Sequence, residues 1–180
     1  MDANERVLQH FHDSIRCKQM AMDVLAPAVV AAALSEREGL TVITNNLNTA
    51  MALSDAPGAR IIIPGGELRL PDRDVLGTLA QDVFGAYRAD FAIYGAAGID
   101  RDGCLLDFHA SEVRIRRMAR ENARHSILVV DSSKFGRRAP AAGGHLDEAD
   151  HVVTEARPAA PFADLLESLG DRLIITGEAT

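Results

Sequence analysis

Short apolar runs of strand length alternate along this chain with stretches in which apolar residues recur every three or four positions. Runs at 40–44, 60–63, 91–94, 127–130, 151–154 and 173–176 predict strands. Segments 48–53, 75–87, 111–123 and 161–169 carry the helical period. Asp72 and Ser111 stand where helix N-caps belong, and Gly39 and Gly170 where C-caps belong. The rhythm of strand, helix and strand predicts an α/β domain whose mainly parallel sheet is covered by helices. Continuous apolar strands of this kind suit burial on both faces. Residues 139–144 (Ala-Pro-Ala-Ala-Gly-Gly) and 157–161 predict loops, and no internal repeat or low-complexity tract is present.

The first 38 residues break the rhythm. Residues 5–25 have helical composition, with Val7, Leu8, Phe11, Ile15, Met20 and Val24 apolar. A second helix is predicted over 27–37, opened by Pro27 and following with almost no connector. The predicted organisation is a helical segment, 1–38, leading into an α/β domain, 39–180.

Composition narrows the class. With 180 residues, one domain with extra terminal elements is expected. The hydrophobic fraction of 47% supports a core, which Ala, Val, Ile and Leu must fill because tryptophan is absent. No apolar run approaches the roughly 18 residues of a membrane helix. The polar, acidic start is unlike a secretory signal. Cys17 and Cys104 fit neither a metal spacing nor a disulfide framework. The expectation is a reduced, cytoplasmic protein without a cofactor.

A formal net charge of -7 argues against a nonspecific grip on nucleic acid. The densest basic stretch is Arg114, Arg116, Arg117, Arg120 and Arg124, interleaved with Glu112 and Glu121. It reads as a solvated helix face with ion pairs three or four residues apart, or as a face that turns one or two arginines inward to a phosphate.

Candidate chemistry clusters at four predicted strand ends, the edge where open α/β sheets bind ligands. Asn45 and Asn46 offer amides that both donate to and accept from hydroxyls. Gly65 and Gly66 allow close backbone approach. Residues 95–100 supply Gly98 and Asp100, and residues 131–134 end in Lys134, suited to a phosphate or carboxylate. Glu112, one turn into a predicted helix, is either a carboxylate for ligand hydroxyls or simply a favourable first-turn acid. His10, His12 and Asp13 lack a further ligand at metal spacing. No nucleophile elbow or phosphate-binding P-loop is present.

Taken in order, Thr44-Asn45-Asn46-Leu47-Asn48, Gly65-Gly66-Glu67-Leu68-Arg69, Gly98-Ile99-Asp100, Glu112-Val113-Arg114 and Asp131 through Arg137 resemble the carboxyl-terminal sensor domain of the DeoR family of bacterial transcriptional repressors. Within it, the glycerol-3-phosphate regulon branch is most similar. The resemblance implies a fold like ribose-5-phosphate isomerase. It also implies a phosphorylated sugar or polyol effector, such as glycerol 3-phosphate, that alters DNA binding by a winged helix with no counterpart in this sequence. A symmetric homo-oligomer is implied as well. Asn45, Asn46, Gly65, Gly66, Glu112 and Lys134 match the family's ligand pocket. The family's first strand and its Gly-Thr-Thr-like turn are expected to be absent, since Leu25 runs directly into Ala26 and Pro27. The alternative reading is an isomerase-like enzyme with Glu112 as base and Lys134 stabilising an enediolate-like anion.

Overall fold

The computed structural model describes residues 19–22, 34–35 and 37–176. In chain order the first strands are β1 (Gln19–Met22), β2 (Thr41–Thr44), β3 (Arg60–Ile62), β4 (Leu68–Arg69) and β5 (Asp74–Val75). They are followed by β6 (Ala89–Tyr94), β7 (Gly98–Ile99), β8 (Cys104–Asp107), β9 (Ala123–Val129), β10 (Ala141–His145), β11 (His151–Thr154) and β12 (Leu173–Ile175). The helices are α1 (Leu47–Ala52), α2 (Thr78–Ala86), α3 (Ala110–Glu121) and α4 (Ala163–Glu167).

Seven strands form one sheet in the order β12-β11-β9-β6-β1-β2-β3, with every neighbour pair parallel. The α/β class with a mainly parallel sheet is therefore present. Chain order runs outward from β1 to β3 on one side, then restarts at β6 on the other. The reversal falls between β1 and β6, and such a switch point opens a crevice at the carboxyl ends of the strands. Strand β6 shows how the sheet is buried. Phe91 and Ile93 join a cluster with Leu34, Leu40, Val42 and Leu53. Ala92 and Tyr94, on the opposite face by the two-residue period, pack with Ala80 and Phe84 of α2 and Ile115 and Ala119 of α3. Both faces are covered, as continuous apolar strands require.

Four expectations need correction. Residues 19–22 are not helical: β1 lies at the sheet centre, Gln19 beside Thr41 of β2 and Met20 beside Phe91 of β6. Gln, Met and Ala are good helix formers, but here two neighbouring strands offer hydrogen-bond ladders whose buried backbone groups require partners. The remainder of the two predicted N-terminal helices lies almost wholly outside the described residues, as do Cys17, His10 and His12. Second, residues 141–145 are a strand, β10, antiparallel to β8 in a separate sheet ordered β10-β8-β7. Third, the helix expected from 75 begins at Thr78 with Gly77 as its N-cap. Asp74 and Val75 instead pair antiparallel with Leu68 and Arg69. Fourth, α3 is capped by His109, not Ser111: the Glu112 side chain accepts the His109 amide, and the Glu112 amide donates to the His109 carbonyl.

Candidate functional site

At the carboxyl end of β2 the chain turns through Asn45 and Asn46, both buried. Asn46 N-caps α1, its Oδ1 accepting the Thr49 amide at 3.1 Å, while its Nδ2 donates to the Asp72 carbonyl at 3.0 Å. Asn45 Nδ2 donates to the Val75 carbonyl at 3.1 Å. The two amides fasten the β4–β5 hairpin over the end of β2. Asn45 Oδ1 is different: it is buried and accepts no hydrogen bond among the described residues. Gly66, on the loop entering the hairpin, has φ 140, and a Cβ there would meet Val75 Cγ1 at 2.9 Å. Gly65 faces open space.

The hairpin carries Arg69, the hub of this end of the molecule. Its Nε and Nη2 donate to the two oxygens of Asp74, both at 2.9 Å, in a forked pair. Nη2 also lies 2.5 Å from Glu112 Oε1 and 3.0 Å from Asp72 Oδ2. The Asp74 hydrogen bonds, against the opposing effect of burial and helped by Glu112, raise the Arg69 pKa further above its already high value. One guanidinium is thus shared by three carboxylates, leaving the cluster rich in acceptors. Glu112 is 5% exposed; its second oxygen accepts the His109 amide at 3.0 Å. It therefore serves as a first-turn acid and as part of the cluster at once.

Lys134 ends a 3-10 turn (Ser132–Lys134) at the carboxyl end of β9. Its Nζ lies 3.5 Å from Asp131 Oδ2. Burial opposes ionisation of Asp131, but the Ser133 hydroxyl and the Lys134 ammonium outweigh it and hold the carboxyl below its usual value. Glu155, at the end of β11, clamps the same turn by accepting the Ser132 amide at 2.9 Å. Beyond the turn, the Arg137 guanidinium sits 5.3 Å from the centre of the Phe108 ring, next to the α3 cap. That contact draws the lysine turn toward the helix start that carries Glu112.

A second ionic cluster lies one helical turn along α3. Arg116 and Asp107 form a buried ion pair, and the guanidinium also donates to the Gly143 and Gly95 carbonyls. Burial pushes the Asp107 carboxyl up to about 6 despite Arg116 and the Ala97 amide, which donates to it at 3.1 Å. Among the described residues, no group of three or more His, Cys, Asp or Glu side chains is placed to hold a metal ion, and no helix is long and apolar enough to cross a membrane.

Comparison with known families decides what this arrangement belongs to. Residues 26–156 match the family model of the DeoR C-terminal sensor domain. The chain belongs to the DeoR family. The glycerol-3-phosphate regulon repressor of Escherichia coli K12 is 44% identical over 78% of this chain and 56% of its own length. The protein of that name from Haemophilus influenzae is 38% identical over 71% of the chain and 50% of its own. The chain thus spans about half the length of the curated relatives it matches. Both relatives are repressors by name. Among solved structures, eIF2B beta from Chaetomium thermophilum superposes with a TM-score of 0.53 at 16% identity, covering 83% of this chain and 49% of its own. A ribose 5-phosphate isomerase from Methanocaldococcus jannaschii gives 0.48 at 13% identity over 74% and 53%. Likeness at such identity concerns the fold alone.

Within this DeoR-family domain, Asn45, Asn46, Gly66 and Glu112 gather around Arg69, with Gly65 beside them, and Lys134 stands apart at the same carboxyl edge. Gly98 has a packing role: a Cβ there would lie 2.1 Å from the Arg137 carbonyl. Asp100 is exposed in the β7–β8 turn and accepts the Arg101 amide at 2.7 Å, away from the cluster. The residues missed by sequence reasoning are Arg69, Asp74 and Asp107. Arg69 follows the glycine pair and faces Asp72 and Asp74 across a Leu-Pro turn, a charge pattern that signals a closed hairpin. Asp107 gave no local signal, because its partner comes from the next helix.

Proposed function

We propose that this domain binds a small phosphorylated polyol, glycerol 3-phosphate or a close analogue, and that binding changes the grip of an attached winged helix on DNA. The observation that carries the reading is Asn45 Oδ1, a buried acceptor with no donor among the described residues, beside a carboxylate-rich cluster. An unpaired buried acceptor is costly, and a ligand hydroxyl satisfies it. Glu112 and Asp74 add acceptors for further hydroxyls, while Lys134 supplies the charge for a phosphate. Polar groups of both kinds therefore line one edge, as a molecule with a polyol end and an anionic end requires. The names of the relatives, glycerol-3-phosphate regulon repressors, agree with that chemistry. Coupling to DNA follows linkage: an effector that favours one arrangement changes operator affinity by its difference in affinity for the two. Symmetric assembly of such chains is part of the proposal.

Thermal unfolding against glycerol 3-phosphate, glycerol, other sugar phosphates and plain phosphate tests it. A ligand at 100 times its dissociation constant adds about 2.7 kcal/mol, or roughly 5 to 10 °C in a domain of this size. Lys134→Ala should weaken the phosphorylated ligand by about 1.5 to 3 kcal/mol, the range of a charge-assisted hydrogen bond. Equal shifts with glycerol and glycerol 3-phosphate would remove the phosphate from the reading, and unchanged affinity in the variant would remove Lys134.

A further inference from the structure

Further along α3 from Glu112, a cavity of about 390 Å³ opens between α3, the backbone of β10 and Glu148. Its walls include Tyr94, Arg116, Arg117, Arg120, Glu121 and Glu148. Three features mark it as more than a packing defect. Tyr94 is 1% exposed, and its hydroxyl makes no hydrogen bond among the described residues. Ser126 lies nearby, but its hydroxyl is engaged on both sides by Asp150, donating to Oδ2 at 3.0 Å and accepting the amide at 3.1 Å. Burial pushes the Tyr94 phenol up to about 12, with the Ser126 hydroxyl acting in the opposite direction.

The second feature is charge. Three guanidinium groups line the cavity, each held by one carboxylate: Arg116 by Asp107, Arg117 by Glu121 and Arg120 by Glu148. Arg116 is fixed by Asp107 and two carbonyls. Arg117 and Arg120 pair with Glu121 at 2.7 Å and Glu148 at 3.0 Å, and those acids are 42% and 38% exposed. Ion pairs with such exposed acids are weak and easily exchanged, and a guanidinium has five donors to offer. The third is size: the volume lies within the range of small-molecule sites.

We propose that this cavity is a second ligand site, for a small oxyanion bearing a phosphate or carboxylate group. The anion takes Arg117 and Arg120 from their rim acids, and one of its oxygens accepts the Tyr94 hydroxyl. This proposal stands apart from the effector site, since none of its residues belongs to the Arg69 cluster or the Lys134 turn.

Isothermal titration of the chain carrying Lys134→Ala, with inorganic phosphate, glycerol 3-phosphate and citrate, tests it without interference from the first site. At least one of these should bind. Its dissociation constant should rise at least tenfold in Arg120→Gln and severalfold in Tyr94→Phe and Arg117→Gln. Because Arg117 is 71% exposed, its substitution leaves the fold intact even if Arg120→Gln does not. Citrate without phosphate binding would assign a carboxylate, and the converse a phosphate. The proposal falls if none of the three binds. It falls equally if affinity is indifferent to Arg117, Arg120 and Tyr94, or if sedimentation shows the cavity filled by a second copy with no oxyanion bound.

Discussion

Two arginine clusters meet α3 one turn apart and are built on opposite terms. Arg69 is 23% exposed by its side chain and shared among Asp72, Asp74 and Glu112. Arg116 is 4% exposed, with one carboxylate and two backbone carbonyls. The first has more acceptors than donors and reaches solvent at Asp72, 42% exposed, which can exchange for a ligand group while the buried Asp74 and Glu112 hold the guanidinium. The second is closed. It ties α3 to the end of β6 through Gly95 and to β10 through Gly143, and no partner can leave without exposing a buried charge. The difference teaches where to look for function in an ionic network: at surplus acceptors near water, not at the tightest pair.

The comparison is broken most directly at Arg116. Arg116→Ala should destabilise the domain by about 3 to 5 kcal/mol, the cost of leaving Asp107 buried without its counter-ion. Urea unfolding reads this as a fall in midpoint, and a loss below 1 kcal/mol would show that the pair is not the anchor described. Arg69→Ala should cost less, about 2 to 4 kcal/mol, because solvent reaches Arg69 but Asp74 is fully buried. It should also alter effector affinity, whereas a stable Arg116 variant should not. Equal effects on affinity from both would erase the distinction.

Acidification sharpens the same contrast. The Asp107 carboxyl is raised in the folded state to about 6 from its ordinary value of 3.8. The native state therefore takes up a proton between these values before the unfolded chain does, so this group favours folding more as pH falls. Against Asp107→Asn, wild-type stability should gain about 1 kcal/mol between pH 7 and pH 5. A constant difference across that window in paired urea titrations would deny the burial assigned to Asp107. The smallest effect belongs to the exposed Arg117–Glu121 pair on the same helix: Arg117→Ala should leave the thermal midpoint unchanged within error.

The sequence reading of the basic helix illustrates what local pattern carries. Arg117 and Glu121 make the ion pair four residues apart that the spacing implies, and Arg120 reaches Glu148. Arg116 does turn inward, yet to a carboxylate, because Asp107 lies at the end of β8, where only the folded hairpin brings it under α3. The site shows the same division. Asn45, Asn46, Gly65, Gly66, Glu112 and Lys134 were legible as polar and glycine residues punctuating apolar runs. That Asn46 is consumed by capping α1 and holding Asp72, while Asn45 Oδ1 finds no donor among the described residues, depends on where the β4–β5 hairpin folds back. Gly98 and Asp100 looked equivalent in sequence. In the fold one is a packing contact and the other a turn residue.

By itself the sequence determined the parallel α/β class and six of the seven strands of its central sheet, because those strands are apolar runs whose burial is a property of the run. The alternating helices α2 and α3 were legible for the same reason, through the period of their apolar faces. Tertiary structure decided what depends on a distant partner. Residues 19–22 become a strand because β2 and β6 flank them, and residues 141–145 become one because β8 pairs with them. Arg69 becomes a hub because Glu112 arrives from helix α3. A hydrophobic pattern fixes which face of a segment is buried; a hydrogen-bond ladder or an ion pair needs both partners, and only the folded chain supplies the second.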